Sequence, residues 1–206
     1  AAAAVVVSGL TTSAFRMVGP LYGVEVGLSI DQVAFFLAAF VLGGAIAQYP
    51  AGWLADKYDR RWVLIGLSAL AIGACTLTVW FSTGGTTRVM LSAAIFGFTT
   101  FPIFSVAAAH AHDFADNSER VELSAALMFL YALGAIASPF VTSGLIEVYG
   151  PGAMFYFISA AHVLLIVFGV ARSRKRPTET DRTAYVYAPR TSFLTGRLFG
   201  KMRKRR

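Results

Sequence analysis

The sequence predicts an all-α membrane protein of six transmembrane helices with both termini on the cytoplasmic side, and three observations predict it. First, 56% of the 206 residues are apolar, only 14% are charged, and the mean hydropathy is +0.63. A soluble domain is nearer 45–50% apolar and about 25% charged. Second, apolar stretches near 20 residues recur, each long enough to cross a hydrocarbon core roughly 30 Å thick. Third, the basic charge is concentrated at one end. Residues 172–206 hold 12 Lys and Arg against Glu179 and Asp181, a net +10 within an overall +7, so the remainder is slightly acidic. A basic tail beside membrane spans suits anionic lipid headgroups before nucleic acid.

Hydropathy draws the spans at about 3–23, 32–51, 62–81, 89–110, 122–146 and 152–171. The first lacks a charged leading region and a cleavage site followed by soluble sequence, so it reads as a span and not as a removed signal. Gly19 and Pro20 lie near its end, and Gly27-Leu28-Ser29 leads into the second. The third contains Cys75, the single cysteine, which reads as a small buried residue. Gly84-Gly85 separates the third from the fourth. Asp116, Asn117 and Ser118 offer N-caps for the fifth, with Glu119 and Glu122 favourable at a helix N-terminus. Gly150-Pro151-Gly152 divides the fifth from the sixth, with Pro151 suited to a helix start.

Unbroken apolar runs exclude a barrel, whose strands alternate, so the backbone must be satisfied within helices. Small residues such as Gly43, Gly44, Ala125, Ala126 and Gly134 allow close helix approach. Residues 1–172 thus form a transmembrane bundle and 173–206 a basic cytoplasmic tail. Within the tail, Leu194, Leu198 and Met202 stand four apart among basic residues, so 191–206 suits a short interfacial helix. With both ends inside, Lys57, Arg60, Arg61, Arg120 and the tail are cytoplasmic and only Arg88 is outside, a 16-to-1 split.

Between the second and third spans stands Gly52-Trp53-Leu54-Ala55-Asp56-Lys57-Tyr58-Asp59-Arg60-Arg61-Trp62-Val63-Leu64. This resembles the cytoplasmic loop signature of the major facilitator superfamily, G-x-L-A-D-[RK]-x-G-[RK]-[RK]-x-x-L. Gly52, Leu54, Ala55, Asp56, Lys57, Arg60, Arg61 and Leu64 match; Asp59 replaces the second glycine, which would alter a turn that needed positive φ. The resemblance implies a gating loop of Gly52, Asp56, Lys57, Arg60 and Arg61, in which Asp56 pairs with Arg60 or faces the positive end of another helix.

Other stretches are similar to the C-terminal half of such transporters. Leu21 to Ser29 resembles the end of the seventh helix. Phe96 to Pro102 with Ala109 to Asp113 resembles the tenth, and Tyr131 to Pro139 the eleventh. Together they are most similar to the YcaD-like bacterial branch, over about residues 5–172. The resemblance implies half of a secondary active transporter in the bacterial inner membrane. Such a transporter moves a small solute by alternating access and needs an N-terminal six-helix half as partner. The rival is a non-transporting scaffold or assembly subunit beside another membrane subunit.

Arg16 lies mid-span, where a charge costs about 2.5–3.5 kcal/mol on insertion scales and usually faces a cavity or a partner. With Gln48 and Tyr131 it forms the set of substrate-cavity candidates; for all three the rival role is structural, and for Arg16 snorkelling or an ion pair. No Asp or Glu lies mid-span; Glu25 and Glu147 sit near the outer ends. His110, His112 and Asp113 read as a solvated loop and not a metal site, because His112 lies off the helical face shared by the other two. His162 is a proton relay or, more simply, a hydrogen-bonded packing residue. Pro102 and Pro139 are expected to bend their helices. No nucleophile–base pair, phosphate loop or metal cluster is legible, so neither an enzyme nor a cofactor is expected.

Overall fold

Six helices account for most of the described residues in the computed structural model, which covers residues 1–116 and 118–173. They are α1 (Ala2–Glu25), α2 (Ile30–Lys57), α3 (Arg60–Trp80), α4 (Thr86–His112), α5 (Arg120–Tyr149) and α6 (Ala153–Ser173), with a single 3-10 turn at Phe81–Thr83. All six are long and apolar enough to cross a membrane. The tail with its 191–206 segment, and Asn117, lie outside the described residues.

Local chemistry sets the helix limits. Ser29 and Gln32 form a reciprocal capping box at the start of α2. Asp59 caps α3 by accepting from the Arg61 amide at 2.9 Å. Gly85 (φ +85) precedes α4 and Gly150 (φ +79) ends α5, conformations that a side chain would resist. One expectation is corrected: α5 is capped by Glu119, with no side-chain cap bond, and not by Asp116 or Ser118.

α1 packs mainly on α5, α2 on α4, and α3 on both α4 and α6, while α1 also packs on α4. Exchanging the first three helices for the last three turns the α2–α4 pair into the α5–α1 pair and leaves α1–α4 and α3–α6 in place. That is the pattern of two repeated three-helix units. α1 and α4 are the inner pair: 56% and 67% of their most apolar stretches are buried, against 28% and 22% for α2 and α5.

Glycine permits both principal pairings. A methyl on Gly43 would overlap the Ala94 carbonyl oxygen, and one on Gly97 the Phe40 carbonyl oxygen. Likewise Gly9 lies against the Tyr131 carbonyl and Gly134 against that of Val6. Backbone-to-backbone contact of this kind is how membrane helices associate where lipid removes the hydrophobic driving force.

Two clusters fill the interior. One stacks Phe15 on Phe40 (4.2 Å between ring centroids), Phe36 and Phe96 (5.0 Å each), with Phe155 edge-on. It also holds Cys75, buried as expected. The other gathers Leu64, Leu67, Ile103, Phe104, Leu127 and Leu165 nearer the end where α2 meets α3, termed here the latch end.

Candidate functional site

Arg60 opens α3, yet its side chain is only 1% exposed. Its guanidinium sits between the C-terminal ends of α2 and α4, where helix dipoles are negative. It donates to the carbonyl of Ala55 (3.3 Å) and that of Ala109 (3.0 Å). It also pairs with two carboxylates: Asp56 across 3.3 Å, and Asp113 in the closest contact of the set. One buried cation thus ties three helix ends together. Asp113 side-chain exposure is 5%, whereas Asp56 is 47% exposed.

This corrects the expectation that Asp113 belongs to a solvated loop. A guanidinium buried at two carbonyl-rich helix ends needs carboxylate compensation, and Asp113, at the C-cap of α4, supplies it. The available signal was that α2 and α4 end on the same side. His110 lies 3.9 Å from Asp113, while His112 contacts Ser124 Oγ at 3.2 Å, so the two histidines turn to different neighbours.

Asp59 alters nothing in the turn: its φ is −60°, so no glycine is required, and the carboxylate gains a capping role. Gly52 is buried within α2. Lys57 stands apart from the ion cluster, with its ammonium 4.8 Å from the Trp53 ring and 5.6 Å from Tyr58. Arg61 lines a cavity of about 320 Å³ with Arg172, Leu64 and Phe168.

Arg16 occupies the middle of α1. Its neighbour Phe15 is fully buried in the aromatic stack. A step of one residue turns about 100° around a helix, so locking Phe15 inward points Arg16 outward, and Arg16 is exposed. Its guanidinium carbon lies 6.0 Å from the centre of the Phe101 ring. Phe101 packs edge-on against Phe40 at 4.9 Å, and a methyl on Gly44 would strike it. Among the described residues Arg16 makes no hydrogen bond or ion pair. The Phe101 contact was missed in sequence because nothing local links residue 101 to residue 16.

The other two cavity candidates are not placed against Arg16. Gln48 is partly buried on α2, one turn nearer the latch end than Gly44. Tyr131 packs edge-on to Phe104 at 5.4 Å, and its carbonyl faces Gly9. That places it about 10 Å nearer the latch end than Arg16, at 1.5 Å per residue along α1. Away from the latch, a groove of about 710 Å³ opens between α1 and α5, lined by Met17, Leu21, Pro139 and Ser143, with Glu25 and Glu147. His162 is fully buried, with Nε2 3.2 Å from Thr11 Oγ1.

A proline in a helix removes the amide that would bond the carbonyl four residues earlier. Pro139 does so to Ala135, and Ser13 of α1 donates to that oxygen at 2.7 Å. Packed helices thereby repair the defect from outside.

Six membrane-length helices packed as two repeated triplets define a multi-pass α-helical membrane protein. The family model of the Major Facilitator Superfamily matches residues 1–206, and the chain belongs to that superfamily. It is 28% identical over 173 residues to an uncharacterized MFS-type transporter of Enterobacter sp. strain 638, covering 84% of this chain and 44% of that one. It is 24% identical over 175 residues to the MFS-type transporter YcaD of Salmonella arizonae, with the same shares. An MFS-type transporter of Yersinia pestis is 30% identical over 155 residues, 75% of this chain and 39% of the relative. The chain therefore spans under half the length of these relatives. The fold is similar to an auto-inhibited POT family peptide transporter, with TM-score 0.70 and 14% identity over 91% of this chain and 38% of that one.

Proposed function

We propose that this chain is the C-terminal half of a secondary active transporter that moves a small solute across the bacterial inner membrane by alternating access. The observation that carries the reading is the Arg60 cluster. It binds the ends of α2, α3 and α4 into one rigid corner, and it leaves Asp56 half exposed beside that corner. In this reading the latch end is cytoplasmic, and Asp56 faces the N-terminus of a helix in the other six-helix half, whose positive end attracts a carboxylate. Latch formation closes the cytoplasmic side and leaves the groove between α1 and α5 open outward. Alternation then rocks one half against the other around a site near the midplane. The uncovered apolar side chains of α2 and α5, among them Ile46, Tyr49, Ile136 and Phe140, supply surface for that partner and for lipid.

The test uses the full-length transporter with one cysteine at Leu21, in the groove. Labelling from outside with a membrane-impermeant maleimide is compared with and without Asp56→Asn. Loss of the latch should lower outside labelling as the closed-inside population falls. Equal labelling in both proteins would remove the latch role and favour a static membrane scaffold.

A further inference from the structure

We propose that Arg16 is the recognition point for an anionic solute, specifically a monocarboxylate whose apolar part lies against the Phe101 ring. The inference rests on the transport reading above and names the substrate class of the same pathway.

Four observations converge on it. A cation at mid-membrane depth is costly unless it is compensated, and among the described residues nothing compensates Arg16 except the face of Phe101. The residue is not a stray: Phe15, locked among Phe36, Phe40 and Phe96, sets the rotation of α1 that turns Arg16 out of the core. The ring beside it is also placed, because Gly44 leaves the room that Phe101 occupies. Finally, Arg16 is next in sequence to Met17, the first residue lining the groove between α1 and α5, so the inner end of the groove lies at the level of Arg16 along α1, although Arg16 is not itself a lining residue.

The chemistry narrows the ligand. A guanidinium offers a planar fork that matches a carboxylate bidentately. At this depth the described residues supply one positive charge, which matches a monoanion; a dianion would keep an unpaired charge in a low-dielectric site. Glu25 and Glu147 line the same groove further out and disfavour multiply charged anions by repulsion. Phe101 adds an apolar wall, so a carboxylate carrying a hydrophobic or aromatic group fits better than a small hydrophilic one.

The experiment uses the full-length transporter with every native cysteine, including Cys75, replaced by Ala, and with Met17→Cys as reporter. Anionic sulfonatoethyl and cationic trimethylammonioethyl methanethiosulfonates are applied, with benzoate or its neutral isostere benzamide as protectant. With Arg16 present, the anionic reagent should be favoured; Arg16→Gln should lower the anionic-to-cationic rate ratio about fivefold or more, as expected for loss of a nearby unit charge in a partly desolvated site. Benzoate should slow labelling and benzamide should not. Arg16→Lys should keep the charge preference and lose most of the benzoate protection. A ratio insensitive to Arg16, as when a carboxylate of the other half already neutralises it, would overturn the inference, as would equal protection by the two isosteres. Either result with the reporter thiol still labelled leaves the transport reading standing. Failure of both reagents to label the reporter thiol from either side would overturn the aqueous pathway itself. If Met17→Cys does not fold, Leu21→Cys in the same groove replaces it.

Discussion

Asp113 and Asp56 touch the same guanidinium, yet burial gives them unequal weight. Removing one partner of a buried charge pair costs about 3–5 kcal/mol, because the remaining charge is stranded. A half-exposed pair is worth about 0–1 kcal/mol. Asp113→Asn should therefore destabilise the full-length protein far more than Asp56→Asn, measured by denaturant unfolding in detergent micelles. Equal losses would mean that the corner is hydrated. If the proposed latch holds, function should divide the other way: Asp56→Asn leaves the corner folded and removes the half-exposed carboxylate. Asp59 gives a second residue-scale expectation. Asp59→Ala should cost about 1 kcal/mol as a lost N-cap, while Asp59→Gly, which restores the family's glycine, should cost only a few tenths. If Gly proved much worse than Ala, the capping role would be wrong.

At the scale of the element, the glycines divide by what surrounds them. Gly43 and Gly97 stand where two helices touch backbone to backbone, whereas Gly66 and Gly73 have open space where a Cβ would point. Gly97→Ala must push α4 away from α2, an overpacking cost of about 1–3 kcal/mol. Gly66→Ala should be neutral or stabilise α3 by up to about 1 kcal/mol, since Ala loses less entropy in a helix. Thermal unfolding of the two variants side by side checks the contrast. The Ser13–Ala135 bond offers a sharper test through Pro139. Ser13→Ala alone should cost about 0.6 kcal/mol, the mean for such bonds within membranes. In a Pro139→Ala background the restored helix amide serves Ala135, so the same change should cost almost nothing. A double-mutant cycle with no coupling would show that the hydroxyl repairs nothing.

For the whole molecule, the inner pair α1 and α4 presents Arg16 and Phe101 together, and the flanking pair α2 and α5 is left largely uncovered. That arrangement makes sense beside a second half. The intact mass of the native protein is expected to lie well above 22.1 kDa; a native mass at that value, with copurifying membrane subunits, would favour the scaffold. Orientation is tested by single cysteines: one at Tyr58 should be modified only from the cytoplasmic side and one at Gly84 only from outside.

Much of this was legible in the residues themselves. Apolar runs near 20 residues compel helices in lipid, because an unpaired peptide group there has no water to bond. Glycine, proline and capping residues marked the breaks, and the loop from Gly52 to Leu64 carried the family, since its pattern is local and dense. Asp56 and Arg60, four residues apart in the same loop motif, were named together by sequence alone. What sequence could not supply was which distant residues share a space. Asp113 looked solvated until α4 brought it onto Arg60 at the end of α2. Tyr131 and Arg16 looked like companions until the α1–α5 packing at Gly9 set them at different depths. Phe101 stood in sequence only within the stretch resembling the tenth helix, with nothing tying it to residue 16, and the α2–α4 approach at Gly44 placed its ring beside Arg16. Hydropathy and short motifs act along the chain, so the sequence by itself determined the six helices and their class. Depth, helix rotation and partnership come from packing between helices far apart in the chain, so only the tertiary structure decided that Asp113 joins Arg60 and Phe101 stands beside Arg16.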